Sequence, residues 1–175
     1  GMSRVVEVVI TYLELTVQGA VPGGGHRDLP AEVELRLELS PGVATIAGAM
    51  YRVVGADFHW LDRVAWTDEQ WRHEVDRDGV ELWTARIGEA IAGYFELHVE
   101  RDAVELKYFG LTPQFIGRGL GGPLLSAAVR RAVSIGPGRV TLNTCTLDHP
   151  AALPNYLARG FRAIRTERQQ RTLPS

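Results

Sequence analysis

The sequence predicts an α+β fold, layered in the manner of α/β proteins, in which a mixed and mostly antiparallel sheet carries helices on both faces. Short β-branched or alternating segments recur along the chain, and three of them follow one another through two-residue connections, which force antiparallel neighbours. Residues 103–146 then show a strand pattern, a helical pattern and another strand pattern. Such a unit is a parallel, right-handed β-α-β crossover, and we expect it at the centre of the sheet.

Two strands and a loop are predicted first. Residues 4–16 are rich in β-branched side chains, which favour strands. Residues 32–38 alternate apolar and charged side chains, as a half-buried strand does. The glycine-rich residues 19–25 between them predict a flexible loop.

Two helices are predicted next. Ser40 before Pro41 has the pattern of an N-cap followed by the first helical residue, and the helix is expected to run to about residue 54. Residues 67–70, Thr-Asp-Glu-Gln, match a capping box and predict the start of a second helix. Gly79 suits the C-terminal end of that helix.

The rest of the chain alternates strands and helices. Gly88 and Glu89 predict a tight hairpin turn. We predict strands at 80–87, 90–100, 103–111, 139–146 and 161–167, and helices at 119–134 and 150–159. Because the sequence has no repeat or linker, residues 1–175 are expected to form a single domain.

Composition argues against several functional classes. The chain has 175 residues and a formal net charge of −2, so no basic field indicates nucleic acid or an anionic membrane as a partner. Cys145 is the only cysteine, which excludes an internal disulfide and a cysteine-rich metal site, and no metal is expected. The sequence has no signal pattern and no apolar run that could span a bilayer, so the expected location is the cytoplasm.

Residues 111–122, Leu-Thr-Pro-Gln-Phe-Ile-Gly-Arg-Gly-Leu-Gly-Gly, lie between a predicted strand and a predicted helix. Glycines there allow positive φ, and the free N–H groups of a helix N-terminus attract a phosphate or pyrophosphate. The simpler interpretation is a tight turn with close helix packing. Gly117, Gly119 and Gly122 also match the G-x-G-x-x-G of dinucleotide sites, but three antiparallel strands precede them and the next strand ends without an acid for a ribose.

The segment resembles the acetyl-CoA signature of the GNAT superfamily. In that signature an aliphatic strand end is followed by x-Pro-x-aromatic and then by [Gln/Arg]-x-x-Gly-x-[Gly/Ala] at the start of a helix. Alignment on Pro113 and Phe115 places Ile116 at the Gln/Arg position, with Gly119 and Gly121 as the glycines. Isoleucine at this position departs from the signature. The departure does not overturn the match, because the pyrophosphate is held mainly by backbone N–H groups.

A second alignment starts at Gln114 and uses Gly117 and Gly119 as the two glycines. The resemblance implies that acetyl-CoA is the co-substrate and that this segment binds it. The implied binding residues are Leu111, Gly117, Arg118, Gly119, Leu120, Gly121 and Gly122.

A second GNAT element follows the next predicted strand. The usual pattern is Asn-x-x-Ala-x-x-x-Tyr-x-x-x-Gly-Phe, and here His149, Ala152, Tyr156, Gly160 and Phe161 occupy those positions. His149 replaces the asparagine, and the other four residues match. Two elements in this order on the predicted topology identify the chain as a member of the superfamily.

The resemblance covers roughly residues 40–167 and implies an N-acetyltransferase. It implies direct transfer of an acetyl group to a primary amine of a small molecule or peptide, in a ternary complex. The thioester carbonyl would lie beside the end of strand 103–111, polarised by a backbone N–H near Leu111.

Such a reaction needs a general base for the amine. The resemblance places Glu105 where the histone-acetyltransferase branch of the superfamily carries its glutamate base. The alternative is an edge-strand glutamate paired with Lys107, two residues on and on the same face. Glu96 on the preceding strand is the reserve candidate, and its alternative is an exposed position without a role.

Tyr156 matches the family's general acid, whose phenol protonates the departing CoA sulfur; the alternative is a core aromatic. His149 is a further catalytic candidate, which could relay a proton near neutral pH or hydrogen-bond the pantetheine. Asp148 is expected to be the N-cap of the following helix. Cys145 is expected to pack in the sheet and not to act as a nucleophile.

The acceptor side is expected at residues 57–66, where aromatic and acidic side chains could hold an ammonium. Packing is an equal alternative for Trp66 and Trp71. The expected partners are acetyl-CoA and an unidentified amine, and a homodimer is left open. Two other functions remain as alternatives: a non-catalytic acyl-CoA-binding sensor, and a nucleotide-binding oxidoreductase that would prefer NAD.

Overall fold

The structure is a computed structural model that describes residues 2–17 and 28–174, and these form seven β-strands, four α-helices and two short 3₁₀ turns. The predicted loop at 19–25 lies outside the described residues. The strands are β1 (Ser3–Thr16), β2 (Val33–Leu37), β3 (Val80–Ile87), β4 (Ala90–Val99), β5 (Val104–Leu111), β6 (Arg139–Cys145) and β7 (Arg162–Pro174). The helices are α1 (Val43–Gly55), α2 (Asp68–Val75), α3 (Gly121–Ile135) and α4 (Ala152–Ala158), and the 3₁₀ turns are Ala56–Phe58 and Pro113–Phe115.

The strands form one sheet in the order β2-β3-β4-β5-β6-β1-β7. Neighbouring strands are antiparallel except β5 and β6, whose parallel pairs are Val104 with Val140 and Glu105 with Thr141. Helix α3 connects these two strands. The predicted mixed sheet and its central parallel crossover are therefore confirmed.

Helices cover both faces of the sheet, as predicted. The apolar clusters on the two faces share no residue, because the side chains of a strand alternate between faces. One cluster joins the sheet to α3 and α4 and includes Phe95, Leu97, Leu124, Leu125 and Tyr156. The other joins it to α1 and α2 and includes Tyr51, Val54, Trp71, Leu82 and Tyr94.

Strand β5 contains a β-bulge that its sequence does not reveal. Glu96 of β4 pairs with Tyr108 and Leu97 pairs with Leu106, so Lys107 is an extra residue without an opposite partner in β4. A bulge bends its strand and increases the local twist, and bulges are common beside active sites. The bend at Lys107 comes just after the last pair between β5 and β6.

The start of α1 differs from the prediction. The helix begins at Val43 with Gly42 as its N-cap, and no side chain caps it. The Ser40 hydroxyl instead donates to Asp76 Oδ2 at 2.8 Å. The Ser40 cap is therefore wrong, because a turn in which Leu39 O accepts from the N–H groups of Gly42 and Val43 precedes the helix.

The predicted capping box of α2 is confirmed. The Gln70 N–H donates to Thr67 Oγ1 at 3.2 Å, and the Thr67 N–H donates to Gln70 Oε1 at 2.8 Å. The helix ends at Val75, however, and Gly79 lies in the turn into β3 with a φ of 85°. Gly79 therefore belongs to the turn into β3 and does not form the C-terminal end of α2.

Two other boundaries differ. Helix α3 starts at Gly121 and not at Gly119, which leaves Gly119 in the loop. Strand β7 continues to Pro174 because β1 pairs with it from Ser3 onward. The polar, arginine-rich sequence after residue 167 lacks the apolar alternation that would have predicted this extension.

Candidate active site

The separation of β5 from β6 opens a cleft with a volume of about 990 Å³. Among the described residues these strands pair only at Val104 and Glu105, and residues 106–111 of β5 then form one wall of the cleft. Asn143 and Cys145 of β6 line it from the other strand. The 3₁₀ turn after α1, the first turn of α3, helix α4 and the end of β7 also contribute residues.

The loop between β5 and α3 presents open backbone to the cleft. Gly117 and Gly119 have φ values of 81° and 78°, a conformation that side chains with a Cβ rarely adopt. A Cβ added to either glycine would meet no atom within 4 Å. The N–H groups of Gly121 and Gly122 in the first turn of α3 have no acceptor within the helix, so the loop and the helix start together can receive an anion.

Most of the predicted CoA-binding residues line this cleft: Leu111, Gly117, Gly119, Leu120, Gly121 and Gly122. Arg118 is the exception among the described residues, since its guanidinium lies 4.9 Å from the centre of the Phe115 ring, outside the cleft lining. Gly122 lies against the end of the Arg159 side chain. A Cβ at this position would lie 2.2 Å from Nη2 of Arg159, so a larger residue would require that guanidinium to move.

Tyr156 on α4 reaches the cleft although only 9% of its surface is exposed. Its ring also packs edge-on against Phe161, with the centroids 6.1 Å apart. Burial, and then the negative charge of Asp148, raise the pKa of the Tyr156 phenol well above its usual value. The hydroxyl therefore keeps its proton at neutral pH, which a proton donor requires.

His149 lies in the loop before α4 and lines the cleft. Its Nδ1 accepts a hydrogen bond from the Ala151 N–H at 3.0 Å. The neutral ring therefore carries its proton on Nε2, which becomes a donor. The His149 ring also lies 6.1 Å from the ring of Phe58, which belongs to the 3₁₀ turn after α1. This arrangement favours hydrogen bonding to a ligand carbonyl over a proton relay.

Asp148 does not cap α4, which has Ala151 as its N-cap and no side-chain cap. The Asp148 carboxylate turns back to the end of β6, where it accepts from the Thr144 hydroxyl and from the Cys145 N–H at 2.9 Å. The predicted N-cap is therefore wrong, because the strand end offers the carboxylate these two donors.

Cys145 is half-buried and lines the cleft. Burial, and then the charge of Asp148, raise the pKa of its thiol. A thiol with a raised pKa is a poor nucleophile at neutral pH. The structure thus supports the expectation that Cys145 packs in the wall of the cleft.

Glu105 lies immediately before the part of β5 that lines the cleft. Its Oε1 is 3.7 Å from Nζ of Lys107, so the contact predicted as the alternative to catalysis is present. The edge position that belonged to this alternative is wrong, because Glu105 pairs with His98 of β4 and with Thr141 of β6. Among the described residues, Lys107 lines the cleft and Glu105 does not. Glu105 therefore lies next to the cleft wall and is not part of its lining.

The Glu96 side chain is buried, and both oxygens of its carboxylate accept hydrogen bonds. It is 1% exposed, accepts two hydrogen bonds from Arg63 at 2.9 and 3.0 Å, and accepts one from His98 Nε2 at 2.6 Å. Burial would raise its pKa, but the bonds from His98 and Arg63 outweigh burial and hold the pKa below its ordinary value. The exposed position foreseen for Glu96 is wrong, and its burial outside the cleft makes it unsuitable as a base.

Three aromatic rings, which the sequence indicated only in part, form a cluster in the lining of the cleft. Tyr51, Trp60 and Tyr108 contact one another with ring centroids 5.0 to 5.6 Å apart. Trp60 lies close over Gly55, where a Cβ would be 2.6 Å from Trp60 Cβ. Tyr51 and Tyr108 could not be assigned from the sequence because their places depend on helix packing and on the bulge at Lys107.

Residues 57–66, which we call the acceptor loop, contribute two polar side chains to the cleft, His59 and Asp62. His59 has a φ of 55°, the one left-handed non-glycine residue in the part of the chain that the structure describes. Trp66 and Trp71 pack instead around Arg63, whose guanidinium carbon lies 4.7 and 5.4 Å from their ring centres. For these two tryptophans the packing interpretation holds.

Within residues 2–17 and 28–174, no group of three or more His, Cys, Asp or Glu side chains is arranged to hold a metal ion. Over the same part of the chain, none of the helices combines the length and the apolar character that crossing a membrane demands.

Comparisons with solved structures show that the fold is shared. A conserved protein of unknown function from Staphylococcus epidermidis matches with a TM-score of 0.70 and 15% identity, over 97% of this chain and 62% of its own. A GCN5-related N-acetyltransferase from Sphaerobacter thermophilus matches with a TM-score of 0.70 and 16% identity, over 98% of this chain and 54% of its own. This chain therefore spans between half and two thirds of the length of these two proteins.

An aminoglycoside acetyltransferase from an uncultured soil metagenomic sample, solved in complex with sisomicin, matches with a TM-score of 0.60 and 13% identity, over 73% of this chain and 87% of its own. A comparison with curated proteins found no match. The sequence model of the acetyltransferase (GNAT) family matches residues 47–161, which include the whole glycine loop and Tyr156. Because this match covers more than half of the sequence, the chain belongs to the GNAT family of acetyltransferases.

Proposed function

We propose that this protein is an N-acetyltransferase that transfers an acetyl group from acetyl-CoA directly to a primary amine in a ternary complex, with the chain acting as one domain. The observation that carries the proposal is the cleft between β5 and β6. It joins an open glycine loop, a buried tyrosine that retains its proton, and a group of aromatic side chains. Membership of the GNAT acetyltransferases supports acyl transfer as the reaction.

The donor half of the cleft suits a pyrophosphate followed by a long, thin arm. The backbone at Gly117 and Gly119 is open, and the N–H groups at the start of α3 supply donors for phosphate oxygens. Beyond the loop, residues 106–111 of β5 pair with β4 on one side only. Their other side faces the cleft and has no strand partner in the part of the chain that the structure describes. Its free backbone groups suit the amides of pantetheine, and a backbone N–H near Leu111 is our choice for polarising the thioester.

The proposed chemistry uses three side chains. Glu105 accepts the proton of the amine through a water molecule, and Tyr156 protonates the CoA sulfur as the C–S bond breaks. His149 donates from Nε2 to a carbonyl of the donor, because its Nδ1 is already bonded to the backbone. Preorganised donors around a developing oxyanion are commonly the largest contribution to this kind of catalysis.

The acceptor half suits a small amine with a positive charge. Trp60 and Tyr108, backed by the buried ring of Tyr51, offer ring faces or edges, and Asp62 contributes a carboxylate on the same side. The aminoglycoside acetyltransferase with a similar fold was solved with sisomicin. That likeness supports a small-molecule acceptor here, and the chemistry of the lining supports an amine that is cationic before it reacts.

The proposal is tested in two steps. Acetyl-CoA and CoA should raise the melting temperature of the protein, since a ligand that binds only the folded state stabilises it, whereas NAD should not. A panel of small amines should then release free CoA thiol at rates above the uncatalysed reaction. Stabilisation by NAD alone would favour the oxidoreductase, and binding of acetyl-CoA without turnover of any amine or peptide would favour the sensor.

A further inference from the structure

We propose that Lys107 is a site of self-acylation, so that the enzyme transfers the acetyl group of acetyl-CoA to its own cleft. This inference rests on the proposed function. Lys107 is the only lysine among the 19 Lys and Arg residues of the chain. The others are arginines, whose guanidinium groups stay protonated and are not nucleophilic. Lys107 is also one of the residues that line the cleft.

The backbone directs Lys107 toward the reacting region. The residue is the extra one in the bulge of β5, two residues after Glu105, which forms the last pair between β5 and β6. The cleft begins at this point, and the thioester is proposed to lie along the same strand. A lysine side chain has four flexible methylene groups, so its amine can sweep a considerable length of the wall.

The ion pair with Glu105 does not immobilise the amine. The Nζ–Oε1 distance is 3.7 Å, and 39% of the Lys107 side chain is exposed. Ion pairs exposed to solvent to this degree contribute little to stability, so the ammonium leaves the pair readily. When the ammonium stays in the pair, it lies beside Glu105, the carboxylate that we propose as the general base. Deprotonation of the Lys107 amine requires this arrangement.

The reaction balances without a further reagent. The Lys107 ammonium gives one proton to Glu105, and the resulting amine attacks the thioester carbonyl carbon. The new C–N bond forms, and the C–S bond breaks with its electron pair on sulfur, which takes the proton of the Tyr156 phenol. The nitrogen loses its second proton, which returns through water to the Tyr156 phenolate, and Glu105 releases the first proton to solvent. The products are acetyl-Lys107, CoA thiol and one proton. The amide is too stable to pass the acetyl group on, so the modification ends the sequence.

Acylation has two expected consequences for the cleft. It removes the positive charge beside Glu105, and it adds an acyl amide to the wall that the acceptor must pass. Turnover of external amines should therefore fall as the acylated fraction rises. Self-acylation would make the activity of the protein depend on how long it has been exposed to acetyl-CoA.

The experiment uses the full chain, acetyl-CoA and mass spectrometry with peptide mapping. The substitution Arg101→Lys adds a reference lysine in the exposed turn between β4 and β5, away from the cleft-lining residues. In this variant Lys107 should gain an acetyl group at least about tenfold faster than the lysine at 101. Glu105→Gln should slow the acylation of Lys107 by about 10²-fold and leave the reference lysine unchanged. Lys107→Arg should abolish incorporation in the cleft.

The outcomes separate this inference from the proposed function. If external amines are acetylated while Lys107 stays unmodified, the self-acylation proposal fails and the N-acetyltransferase proposal stands. Equal acylation of Lys107 and the reference lysine would mean uncatalysed chemistry and would also overturn it. If acetyl-CoA neither stabilises the protein nor reacts with it, both proposals fail together.

Discussion

Glu96 and Arg63 form a buried ion pair with two hydrogen bonds, of 2.9 and 3.0 Å, that connects the acceptor loop to the middle of the sheet. The Arg63 N–H also donates to the Tyr51 hydroxyl at 3.0 Å. The guanidinium lies 4.6 Å from the centre of the Tyr108 ring. One arginine therefore holds the loop, helix α1 and strand β5 in the relative positions that the acceptor half of the cleft needs.

Loss of one partner from this pair should destabilise the protein strongly. In Glu96→Gln the buried Arg63 loses its hydrogen-bonded counter-ion and keeps only the longer contact to Glu74, at 3.7 Å. Breaking a buried pair in this way costs about 3–5 kcal/mol. Chemical denaturation at neutral pH should show a loss of this size in the free energy of unfolding. Glu89→Gln, in the exposed turn between β3 and β4, is the matched control and should change little.

The same pair should make stability depend on acid pH. The pKa of Glu96 is lower in the folded protein than in the unfolded chain, so its contribution is complete above the unfolded value and is lost as the pH falls through the folded value. The difference in unfolding free energy between the wild type and Glu96→Gln should therefore shrink on acidification. A difference that stays constant from neutral pH to about pH 3 would contradict the lowered pKa.

Gly119→Glu should abolish most of the CoA affinity without unfolding the protein. The new carboxylate would lie beside the proposed pyrophosphate site and repel the phosphates. Calorimetry should show CoA binding that is weaker by roughly tenfold or more. Gly88→Glu is a matched control, since Gly88 also has a positive φ, of 60°, and open space around it, but lies in the hairpin turn. Both variants should lose about 1–2 kcal/mol of stability from the backbone alone. Equal CoA affinity in the two variants would place the phosphates elsewhere.

The sequence allowed the order of the elements to be predicted because each has a strong local signal. The capping box at Thr67 and the two-residue turn at Gly88 are examples, and both are confirmed. The glycine loop could be assigned from the sequence because backbone with positive φ favours glycine. Pairings between distant residues were not predictable, since no local pattern shows that Glu96 meets Arg63 or that Lys107 lies in a bulge. The base and the acceptor half depend on such pairings.

Asp62→Asn should weaken the binding of a cationic acceptor. The residue lines the cleft and is exposed, so its attraction for an ammonium is screened by water and a two- to fivefold rise in KM is roughly what an exposed pair supports. Asp57→Asn is the control in the same loop, because Asp57 is exposed and does not belong to the cleft lining of the described residues. Steady-state kinetics with a charged amine should distinguish the two. If both variants raise KM equally, the loop acts through its net charge and not through Asp62.

Cys145 should react slowly with iodoacetamide in the folded protein at neutral pH. Burial and Asp148 raise the pKa of its thiol, so the thiolate becomes abundant only at more alkaline pH than in a free cysteine. The rate of alkylation should rise with pH later in the native protein than in the denatured chain, which is the internal control. Because Cys145 lines the cleft, CoA should slow the reaction further. Native and denatured rates that coincide at neutral pH would contradict this description of the site.

The two proposed proton-transfer residues should respond differently to pH. Glu105→Gln should lower kcat by about 10²–10⁴-fold near neutral pH and leave acetyl-CoA affinity nearly unchanged. Its activity should recover as the pH rises, because more of the amine is then neutral without help. Tyr156→Phe should also lower kcat, but alkaline pH should restore less activity, since its defect concerns the leaving thiolate.

Rates measured with one amine across a range of pH values test this division of roles. Glu89→Gln and Tyr12→Phe are suitable controls, because Glu89 lies in the turn between β3 and β4 and Tyr12 bonds Glu167 outside the cleft. Wild-type kcat in Glu105→Gln would exclude Glu105 as the base and leave His59 or water to accept the proton. Wild-type kcat in Tyr156→Phe would mean that the buried hydroxyl has a packing role and that the thiolate leaves without it.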